Sequence, residues 1–528
     1  MGLDVPCFNR RLGSGGSSTP AERSGRRMTP RNHSLPAVIR ARAPRLAAFA
    51  ALAAVAAAAA PANAAARPTL KAVRCVQLCT NTTTVAPGGY ISLRGKGLTR
   101  GMKAVFRART NAAGQHLVSA RAAGRSKLTA RVPGDASSGR VYLRKGRVRS
   151  NSAGPIRVRK LRPRTTPVAT TTEASAAAFT GNGMWIWYVN KSSGGDPQAI
   201  IAQARAHDIS TVFVKSGDGT TYWPQFSAEL VSALKAGGLH VCAWQYVYGS
   251  NPSGEAAVAA QSLAAGPDCF VIDAEKEYEG RYAQAQTYVQ KLRAAFGPAF
   301  PVGLAGFPYV DYHPAFPYSV LLGPQGAQFN VPQTYWKEIG GGVDAVVAHT
   351  YRFNRPYGRT LAPLGQVYDN PSSSDIVRFR QLAQASGSPG VSWWSWQSSS
   401  AGAWNAVGQP LPPFSGPPPA TDDAVLGSGA KGDIVIWAQE LLNGAGQQVT
   451  VDGKFGSSMV TAVQAFQSSH GLPATGQVDT PTWNALLQFA PAEPDWGSGV
   501  SAASAGRRTG PPTAQLRARR YEISRSGR

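Results

Sequence analysis

The sequence predicts a multidomain protein: a β-sandwich, a (β/α)8 TIM barrel and a small three-helix bundle. Regularly spaced strand and turn signals fill residues 70–160. Eight alternating strand and helix segments fill residues 181–408. Apolar residues recur at helical spacing within 425–490. A chain of 528 residues has room for these three modules and the segments between them.

The first residues predict a leader, 1–64, that directs export. Arginines within 40–45 precede the apolar run 46–60, and an Ala-Asn-Ala site ends at Ala64. A charged region, a short apolar region and a small-residue cleavage site together indicate a secretory signal peptide. The alternative is an uncleaved anchor. We therefore expect a secreted, cell-wall associated protein with no stable membrane span after cleavage.

The positive charge is concentrated in one stretch of the chain. Residues 67–165 hold 23 Lys and Arg against one acid, whereas 166–410 hold 14 against 16 and 411–528 hold 9 against 9. Such a stretch is expected to attract polyanions, and outside the cell these include anionic wall polymers. The alternative is a solvated basic surface without a partner. No base-reading motif is present, so we expect no nucleic acid partner.

Export makes the cysteines informative, because disulfides persist outside the cell. Cys75 and Cys79 are close enough for a small disulfide loop. Cys242 and Cys269 lie on two consecutive predicted strands, where a disulfide and packed thiols are both open. No histidine stands at ligand spacing, so we expect no metal site.

The amino-terminal module, 70–160, resembles the IPT/TIG immunoglobulin-like family. The residues that carry the resemblance are Val85-Ala86-Pro87-Gly88-Gly89, Arg94-Gly95-Lys96-Gly97-Leu98, Val132-Pro133-Gly134-Asp135 and Ser138-Gly139. The resemblance implies a β-sandwich with an accessory role. Residues 161–180, rich in Pro, Thr and Ala, are predicted to be a linker.

The central domain, 181–408, is predicted to be the barrel. The predicted strands are 183–189, 211–217, 240–247, 269–275, 301–307, 327–336, 364–369 and 390–397. The predicted helices between them are 196–209, 226–238, 254–266, 281–297, 343–353, 375–387 and 400–407. Asp196 at a helix start is expected to be an N-cap. A doubly wound sheet is the alternative, although it seldom needs eight such units.

Two carboxylates mark the end of the fourth predicted strand. Strand side chains alternate, so Val271, Asp273 and Glu275 share one face. A carboxylate at the end of an apolar strand needs a partner or a cleft. The pair could cap the next helix or bridge to Lys276. The other interpretation is a catalytic pair at the mouth of the barrel, because barrel active sites lie at the carboxyl ends of the strands.

Aromatic and amide side chains surround this pair in the predicted barrel. Aromatic rings stack on sugar rings, and amides bond hydroxyl and acetamido groups. The candidate substrate-binding residues at strand ends are Tyr246, Tyr309, Gln333, Tyr335, Gln366, Tyr368, Trp394, Trp396 and Gln397.

Asp273-Ala274-Glu275, together with Trp396-Gln397 after strand eight, resembles the lysozyme-like glycoside hydrolases, chiefly the family 25 muramidases. The resemblance implies that Glu275 is the acid, and that Asp273 assists the substrate acetamido group or acts as nucleophile. That family opens with G-x-D on strand one, whereas this chain has Gly183-Met184-Trp185. A non-catalytic barrel that binds glycan therefore stays open as the alternative. No cofactor is expected.

The carboxyl-terminal module, 425–490, follows a Pro-rich linker, 409–424, that is expected to be extended. Residues 427–489 resemble the peptidoglycan-binding domain 1 family. The residues that carry the resemblance include Val451-Asp452-Gly453-Lys454-Phe455-Gly456, Ala462-Val463-Gln464-Ala465-Phe466-Gln467, His470-Gly471-Leu472-Pro473 and Thr482-Trp483-Asn484-Ala485-Leu486. The resemblance implies a three-helix bundle and peptidoglycan as partner. The remaining residues, 491–528, are expected to be disordered.

These observations together predict an exported, wall-targeted glycoside hydrolase acting on peptidoglycan. The alternative is a non-catalytic wall-binding protein. The sequence contains no G-x-S-x-G elbow and no H-E-x-x-H motif, which excludes two common hydrolase chemistries.

Overall fold

The computed structural model describes residues 67–109, 113–124, 126–160 and 176–498. All described residues belong to one unit of the chain, Ala65–Arg528. The predicted leader therefore lies outside the described residues, as do residues 161–175 of the first linker and 499–528 of the tail. No helix among the described residues combines the length and apolarity needed to cross a membrane.

Nine strands form the amino-terminal module. They are β1 (Thr69–Asn81), β2 (Thr84–Lys96), β3 (Lys103–Arg107), β4 (Gln115–Ser119), β5 (Arg121–Ala122), β6 (Lys127–Arg131), β7 (Gly139–Lys145), β8 (Val148–Arg149) and β9 (Ala153–Val158). They hydrogen-bond along one connected path, β4-β3-β7-β9-β2-β6-β5, with β1 on β2 and β8 on β7. This path confirms an all-β module, and the two-layer sandwich stays a prediction.

Alternating burial explains these strands. In β7, Val141 and Leu143 enter the core, whereas Arg140 and Arg144 are exposed. Alternation of this kind places one face of a strand on a core and the other in water. Near the start of the module a disulfide joins Cys75 and Cys79.

The central domain contains parallel strands in chain order. They are β10 (Gly181–Ile186), β11 (Ile209–Asp218), β13 (His240–Val247), β14 (Cys269–Ala274), β15 (Val302–Ala305), β16 (Phe329–Asn330), β17 (Gln333–Thr334), β18 (Thr360–Leu361), β19 (Leu364–Gln366) and β20 (Gly390–Trp394). A short antiparallel strand, β12 (Thr221–Tyr222), pairs with β11.

The pairings close into a ring. Strand β10 pairs with β11, β11 with β13, β13 with β14, β14 with β15 and β15 with β16. The sixth and seventh barrel strands are each two short pieces. Strands β16 and β17 lie within the predicted 327–336, whereas β18 precedes the predicted 364–369 and β19 lies within it. Strand β16 pairs with β18, and β17 pairs with β19. Finally β19 pairs with β20, and β20 returns to β10. Eight strand positions thus form a closed parallel barrel, and the doubly wound alternative is excluded.

Helices connect the strands and pack around the ring. They are α1 (Pro197–Ala206), α2 (Ala228–Ala236), α3 (Pro252–Ser262), α4 (Tyr282–Phe296), α5 (Tyr318–Leu321), α6 (Trp336–Ile339), α7 (Val343–Asn354), α8 (Ser373–Ala385) and α9 (Ala401–Gly408). The side chain of Asp196 accepts a hydrogen bond from Gln198 N, which confirms the predicted N-cap of α1. Single turns of 3-10 helix are Ala177–Phe179, Val189–Lys191, Ser193–Gly195, Leu263–Ala265, Lys276–Tyr278, Val310–Tyr312, Arg355–Tyr357, Trp396–Ser398 and Trp496–Ser498.

Side-chain alternation separates two apolar layers in the barrel. Phe270 and Ile272 on β14 join the core between strands and helices. Val271 and Cys269 join the interior with aromatic residues from neighbouring strands. The sequence pattern predicted this division for β14, and the structure confirms it. A disulfide between β13 and β14 joins Cys242 to Cys269, which lie directly opposite each other and are fully buried.

Both predicted linkers contribute described contacts. At the end of the first, Phe179 is buried and stacks on Phe329 with ring centroids 4.0 Å apart. The Pro-rich segment 409–424 is held by arginines of the barrel helices: Arg380 bonds Gln409 O at 2.7 Å, and Arg355 pairs with Asp423 at 2.9 Å. That segment is therefore attached along the barrel rather than a free spacer.

The carboxyl-terminal module is the predicted three-helix bundle, with α10 (Asp433–Gly444), α11 (Ser457–Ser469) and α12 (Thr480–Leu486). Asp479 caps α12 by accepting from Thr482 N. Helix α10 is buried along its whole length. Trp437 donates to Pro356 O of the barrel domain at 2.6 Å, so the bundle packs directly on the barrel.

The start of the predicted disordered tail is ordered. Trp496 is 2% exposed, and its ring lies 4.5 Å from that of Tyr282 on α4. Its backbone N–H donates to Gln286 Oε1 at 2.9 Å. Asp495 N also bonds Val76 O in the amino-terminal module at 2.7 Å. The disorder predicted from composition is therefore wrong for residues 491–498. The large aromatic side chain of Trp496 orders them because it packs on Tyr282.

Candidate active site

The carboxylates of Asp273 and Glu275 lie at the carboxyl end of β14. Asp273 is the inward residue after Val271 and is 7% exposed, whereas Glu275 is half-buried just beyond the strand. On the neighbouring strands, Tyr246 of β13 and Ala305 of β15 stand opposite Asp273. The two acids are therefore at the mouth of the barrel, where the sequence predicted them.

Gln333 connects the two acids. Its Nε2 donates to Asp273 Oδ1 and to Glu275 Oε1, each at 3.2 Å. Because both oxygens lie 3.2 Å from one nitrogen, they are at most 6.4 Å apart. Gln333 arrives on β17, the second half of the sixth barrel strand, and is itself 9% exposed. The amide therefore fixes two carboxylates at a separation suited to chemistry on one bond.

Tyr246 supports the segment after the acids. Its hydroxyl donates to Glu277 Oε2 at 2.7 Å, and the tyrosine is 4% exposed. This bond ties the turn that follows β14 to β13. Glu277 was not among the predicted site residues, and its position two residues after Glu275 is the signal that could have suggested it.

Tyr335 and Tyr368 form a second wall beside strands six and seven. Their rings meet edge to face with centroids 5.6 Å apart. Tyr368 donates to Glu338 Oε2 at 3.4 Å. Burial raises the pKa of Tyr368 well above its ordinary value, and the charges of Glu338, Asp369 and Glu275 raise it further. Tyr368 therefore stays protonated, and its proton is directed to Glu338.

Trp394, at the end of β20, is the centre of an aromatic cluster. Its ring centroid lies 5.8 Å from that of Trp185, 5.7 Å from Trp187 and 5.5 Å from Trp244. Trp187 and Trp394 are half-buried, so part of each ring faces the mouth. Such rings provide flat apolar surfaces on which a sugar could stack.

Lys215 of β11 carries a buried positive charge beside these rings. Its Nζ lies 4.4 Å from the ring centroid of Trp223 and 4.9 Å from that of Trp244. It pairs with Asp218 Oδ2 at 2.7 Å, and Tyr248 donates to the other oxygen of that carboxylate at 2.7 Å. The pairing compensates a charge that burial alone would penalise.

Two predicted binding residues do not face the mouth. Trp396 is 6% exposed and packs edge to face on Trp404 of α9 at 4.9 Å, in the core outside the ring. Gln397 donates to Tyr188 O at 2.8 Å and to Ser192 Oγ at 3.1 Å, so it joins the loops after strands eight and one. The chain turns after Trp394, and strict alternation no longer applies to these two residues.

Gln366 and Tyr309 also contact groups other than the two acids. Gln366 is fully buried, accepts from Lys337 N at 3.0 Å and donates to Tyr368 O at 3.3 Å. Tyr309 lies against His349 of α7, with centroids 3.9 Å apart, and burial raises its pKa to about 12. Both residues shape the loops around the mouth rather than its centre.

Among the described residues, no group of three or more His, Cys, Asp or Glu side chains is placed to hold a metal ion. The polar groups at the mouth are instead carboxylates paired with amide and phenol donors. This arrangement suits proton transfer and the stabilisation of a positive charge.

Comparison with known proteins assigns one module. Residues 431–486 match the family model described as a putative peptidoglycan binding domain. No curated protein matches the chain.

Several solved structures show a partial likeness to this chain. A putative chitinase A from Streptomyces coelicolor is 15% identical, with 44% of this chain and 98% of that chain covered and a TM-score of 0.33. A fungal endo-β-N-acetylglucosaminidase of glycosyl hydrolase family 18 is 14% identical, with 42% and 95% covered and a TM-score of 0.34. The catalytic domain of endolysin ply40, from bacteriophage P40 of Listeria monocytogenes, is 18% identical, with 21% and 60% covered and a TM-score of 0.19. These scores are too low for us to infer fold or function from them, and none of the three is described as a family 25 enzyme.

Proposed function

We propose that this protein is an exported glycoside hydrolase that acts on the glycan strands of peptidoglycan. The observation that supports it is the Gln333 amide, which holds Asp273 and Glu275 side by side at the mouth of a closed barrel. A pair of carboxyl groups held across one bond is the arrangement that glycoside hydrolysis uses.

The two acids have different roles in this proposal. Glu275 is half-buried at the mouth and gives its proton to the glycosidic oxygen as the bond to the sugar breaks. Asp273, acting as a carboxylate, stabilises the positive charge on the sugar or orients an N-acetyl group that attacks it. A water molecule then completes the hydrolysis, and Glu275 takes back a proton from it.

The side chains around the two acids suit a glycan as substrate. The half-buried rings of Trp187 and Trp394 offer stacking surfaces for sugar rings. The Tyr368 hydroxyl gives its one proton to Glu338, so its oxygen is left as an acceptor for a sugar hydroxyl. Both features suit a sugar substrate, and the choice of the peptidoglycan glycan rests on the match of the carboxyl-terminal module.

In this proposal the carboxyl-terminal module binds the protein to the cell wall. Its match to a peptidoglycan binding domain supports binding of the same wall polymer that the barrel would cut. Because the bundle packs on the barrel through Trp437, binding to the wall raises the local concentration of substrate at the mouth. The predicted leader agrees with action outside the cell.

The test is the release of muropeptides from purified peptidoglycan. The unchanged protein should produce new reducing ends, and Glu275→Gln should not. Glu229→Gln, an exposed position on α2, is the matched control and should keep full activity. Equal release by Glu275→Gln and the unchanged protein would contradict the assigned acid.

A second function, glycan binding without cleavage, is favoured by one specific observation. Where the family 25 pattern has its strand-one acid, Trp185 fills the barrel interior and donates to Ser392 Oγ at 3.0 Å. If neither protein releases fragments while both still bind the wall material, the barrel is a binding domain.

A further inference from the structure

The amino-terminal sheet aligns positive charges across three strands. The register places Lys103 of β3 opposite Arg144 of β7, and Arg144 opposite Arg149 of β8. All three side chains are exposed. Neighbouring strands are about 4.8 Å apart, so this is a row of three closely spaced cations.

The row is extended by two more cations. Along β7, alternation puts Arg140 on the same side as Arg144, and along β3 it puts Arg107 on the same side as Lys103. Both are exposed. We call these five residues the basic face: Lys103, Arg107, Arg140, Arg144 and Arg149.

No carboxylate of the described residues forms an ion pair with the basic face. The module's one acid within 67–165, Asp135, lies beside His116. Like charges directly opposite on a sheet are destabilising, so the aligned row does not favour folding of the sheet. This cost would be offset when an anion binds.

Two other cations of the module donate hydrogen bonds to backbone carbonyl oxygens. Lys127 is 8% exposed and donates to Gly497 O, and burial together with the charge of Arg94 lowers its pKa. Lys145 donates to Arg100 O at 3.0 Å. On the basic face, Arg144 Nε donates to Gly146 O at 3.0 Å, and Arg149 lies 3.8 Å above the Tyr142 ring, contacts that order both guanidinium groups. The basic face is therefore partly pre-organised and not neutralised.

We propose that the basic face is a docking surface for a linear phosphodiester polymer attached to the cell wall. Cations in a row match the repeated charges of such a polymer better than a single anion, and guanidinium groups bond phosphate oxygens through two N–H groups. The choice of a wall polymer rests on the proposed function. The large apolar side chain that this sheet exposes on the same side is Leu117, which is too little for insertion into a lipid surface.

The experiment measures binding of the full chain to a synthetic poly(glycerol phosphate) by titration at several salt concentrations. The test variant carries Lys103→Gln, Arg144→Gln and Arg149→Gln. The control removes the same charge from β1 and β2 with Lys71→Gln, Arg74→Gln and Lys96→Gln, all exposed positions. A third variant, Arg144→Lys with Arg149→Lys, keeps the charge, and thermal unfolding checks that each variant folds.

We expect the test variant to bind at least tenfold more weakly and the control to change less than threefold. The slope of log affinity against log salt should fall by about 0.7 for each lost phosphate contact. Equal weakening by test and control variants would show a general charge effect and overturn the proposal. Binding to vesicles of phosphatidylcholine and phosphatidylglycerol in place of the polymer, or no binding to either, would also overturn it.

The result is separable from the proposed hydrolase function. Muropeptide release from peptidoglycan stripped of attached polymers should be equal for the test variant and the unchanged protein, since the basic face does not take part in cleavage. Loss of polymer binding with unchanged release supports docking alone. A protein that releases nothing but still binds the polymer through the basic face would contradict only the hydrolase proposal.

Discussion

Gln333 donates a hydrogen bond to Glu275 across 3.2 Å, from the sixth barrel strand to the end of the fourth. The same nitrogen also donates to Asp273, so removal of the amide takes one hydrogen bond from each acid. A hydrogen bond to a charged group contributes about 1.5–3 kcal/mol, so Gln333→Leu should reduce the rate of muropeptide release about tenfold to a hundredfold. Initial rates on purified peptidoglycan measure this. Full activity in Gln333→Leu, with wall binding retained, would show that the amide has no part in the reaction.

The separation of the two acids predicts the stereochemistry of the product. Their bridged oxygens are at most 6.4 Å apart, because each lies 3.2 Å from Gln333 Nε2. Inverting enzymes have carboxyl groups about 6.5–9.5 Å apart and retaining enzymes about 5–5.5 Å, so the limit agrees with retention, which attack by an N-acetyl group would also give. We therefore expect net retention at the anomeric carbon, observed by proton NMR in the first minutes of hydrolysis. A first product of inverted configuration would contradict this prediction.

The junction between bundle and barrel predicts a dependence on pH. Asp433 is fully buried and accepts from Tyr357 at 2.7 Å and from Ser319 Oγ at 2.8 Å. Burial raises its pKa to about 7, although these hydrogen bonds act in the opposite direction. A raised carboxyl pKa means that the folded protein binds a proton which the unfolded chain has lost. The free energy of unfolding should therefore fall as pH rises from about 4 to about 7, and this contribution should level off above that.

The matched test for this dependence is Asp433→Asn, which keeps a polar side chain of the same size. We expect chemical denaturation at pH 5, 6, 7 and 8 to show a shallower decline for the variant than for the unchanged protein. Glu493 also has a pKa raised to about 7 by burial, so a residual slope should remain. Identical slopes for both proteins would refute a role for Asp433.

The disulfide between β13 and β14 should stabilise the barrel. Cys242 and Cys269 are 27 residues apart in sequence, and closing a loop of that length in the unfolded chain is worth about 3.5 kcal/mol. The double variant Cys242→Ala/Cys269→Ala should lose about this much, as measured by chemical denaturation. The pair Cys75 and Cys79, only 4 residues apart, should matter less when replaced in the same way. Equal losses for the two pairs would contradict the loop-length explanation.

Trp496 should anchor the end of the described chain. It is 2% exposed, so Trp496→Ala should lower the free energy of unfolding by about 3–5 kcal/mol through the lost contact with Tyr282 and the cavity left behind. Val425→Ala, at a position 59% exposed, is the control and should change stability little. A small effect of Trp496→Ala would indicate that residues 491–498 contribute little to stability.

The sequence by itself determined the elements of the barrel and the position of its acids. The short apolar run HVCAWQYV predicted β13 at 240–247, and the structure has the strand at His240–Val247. On β14, side-chain alternation predicted that Asp273 shares a face with Val271, and the structure places that face inside the barrel. Local periodicity is sufficient for such predictions because it depends on residues that are neighbours in the chain.

Only the tertiary structure decided which partners meet. The contact of Gln333 with Glu275 joins residues 58 positions apart, and the pairing of Cys242 with Cys269 depends on the register of two strands. Trp396 turned outward onto Trp404 although alternation from Trp394 predicted the mouth, because the strand ends between them. Trp496 lies in a polar segment but is buried, since the aromatic surface of Tyr282 is available in the fold. Long-range register and the shape of the packed surface are not encoded in any local window of the chain, so these contacts could not be predicted from it.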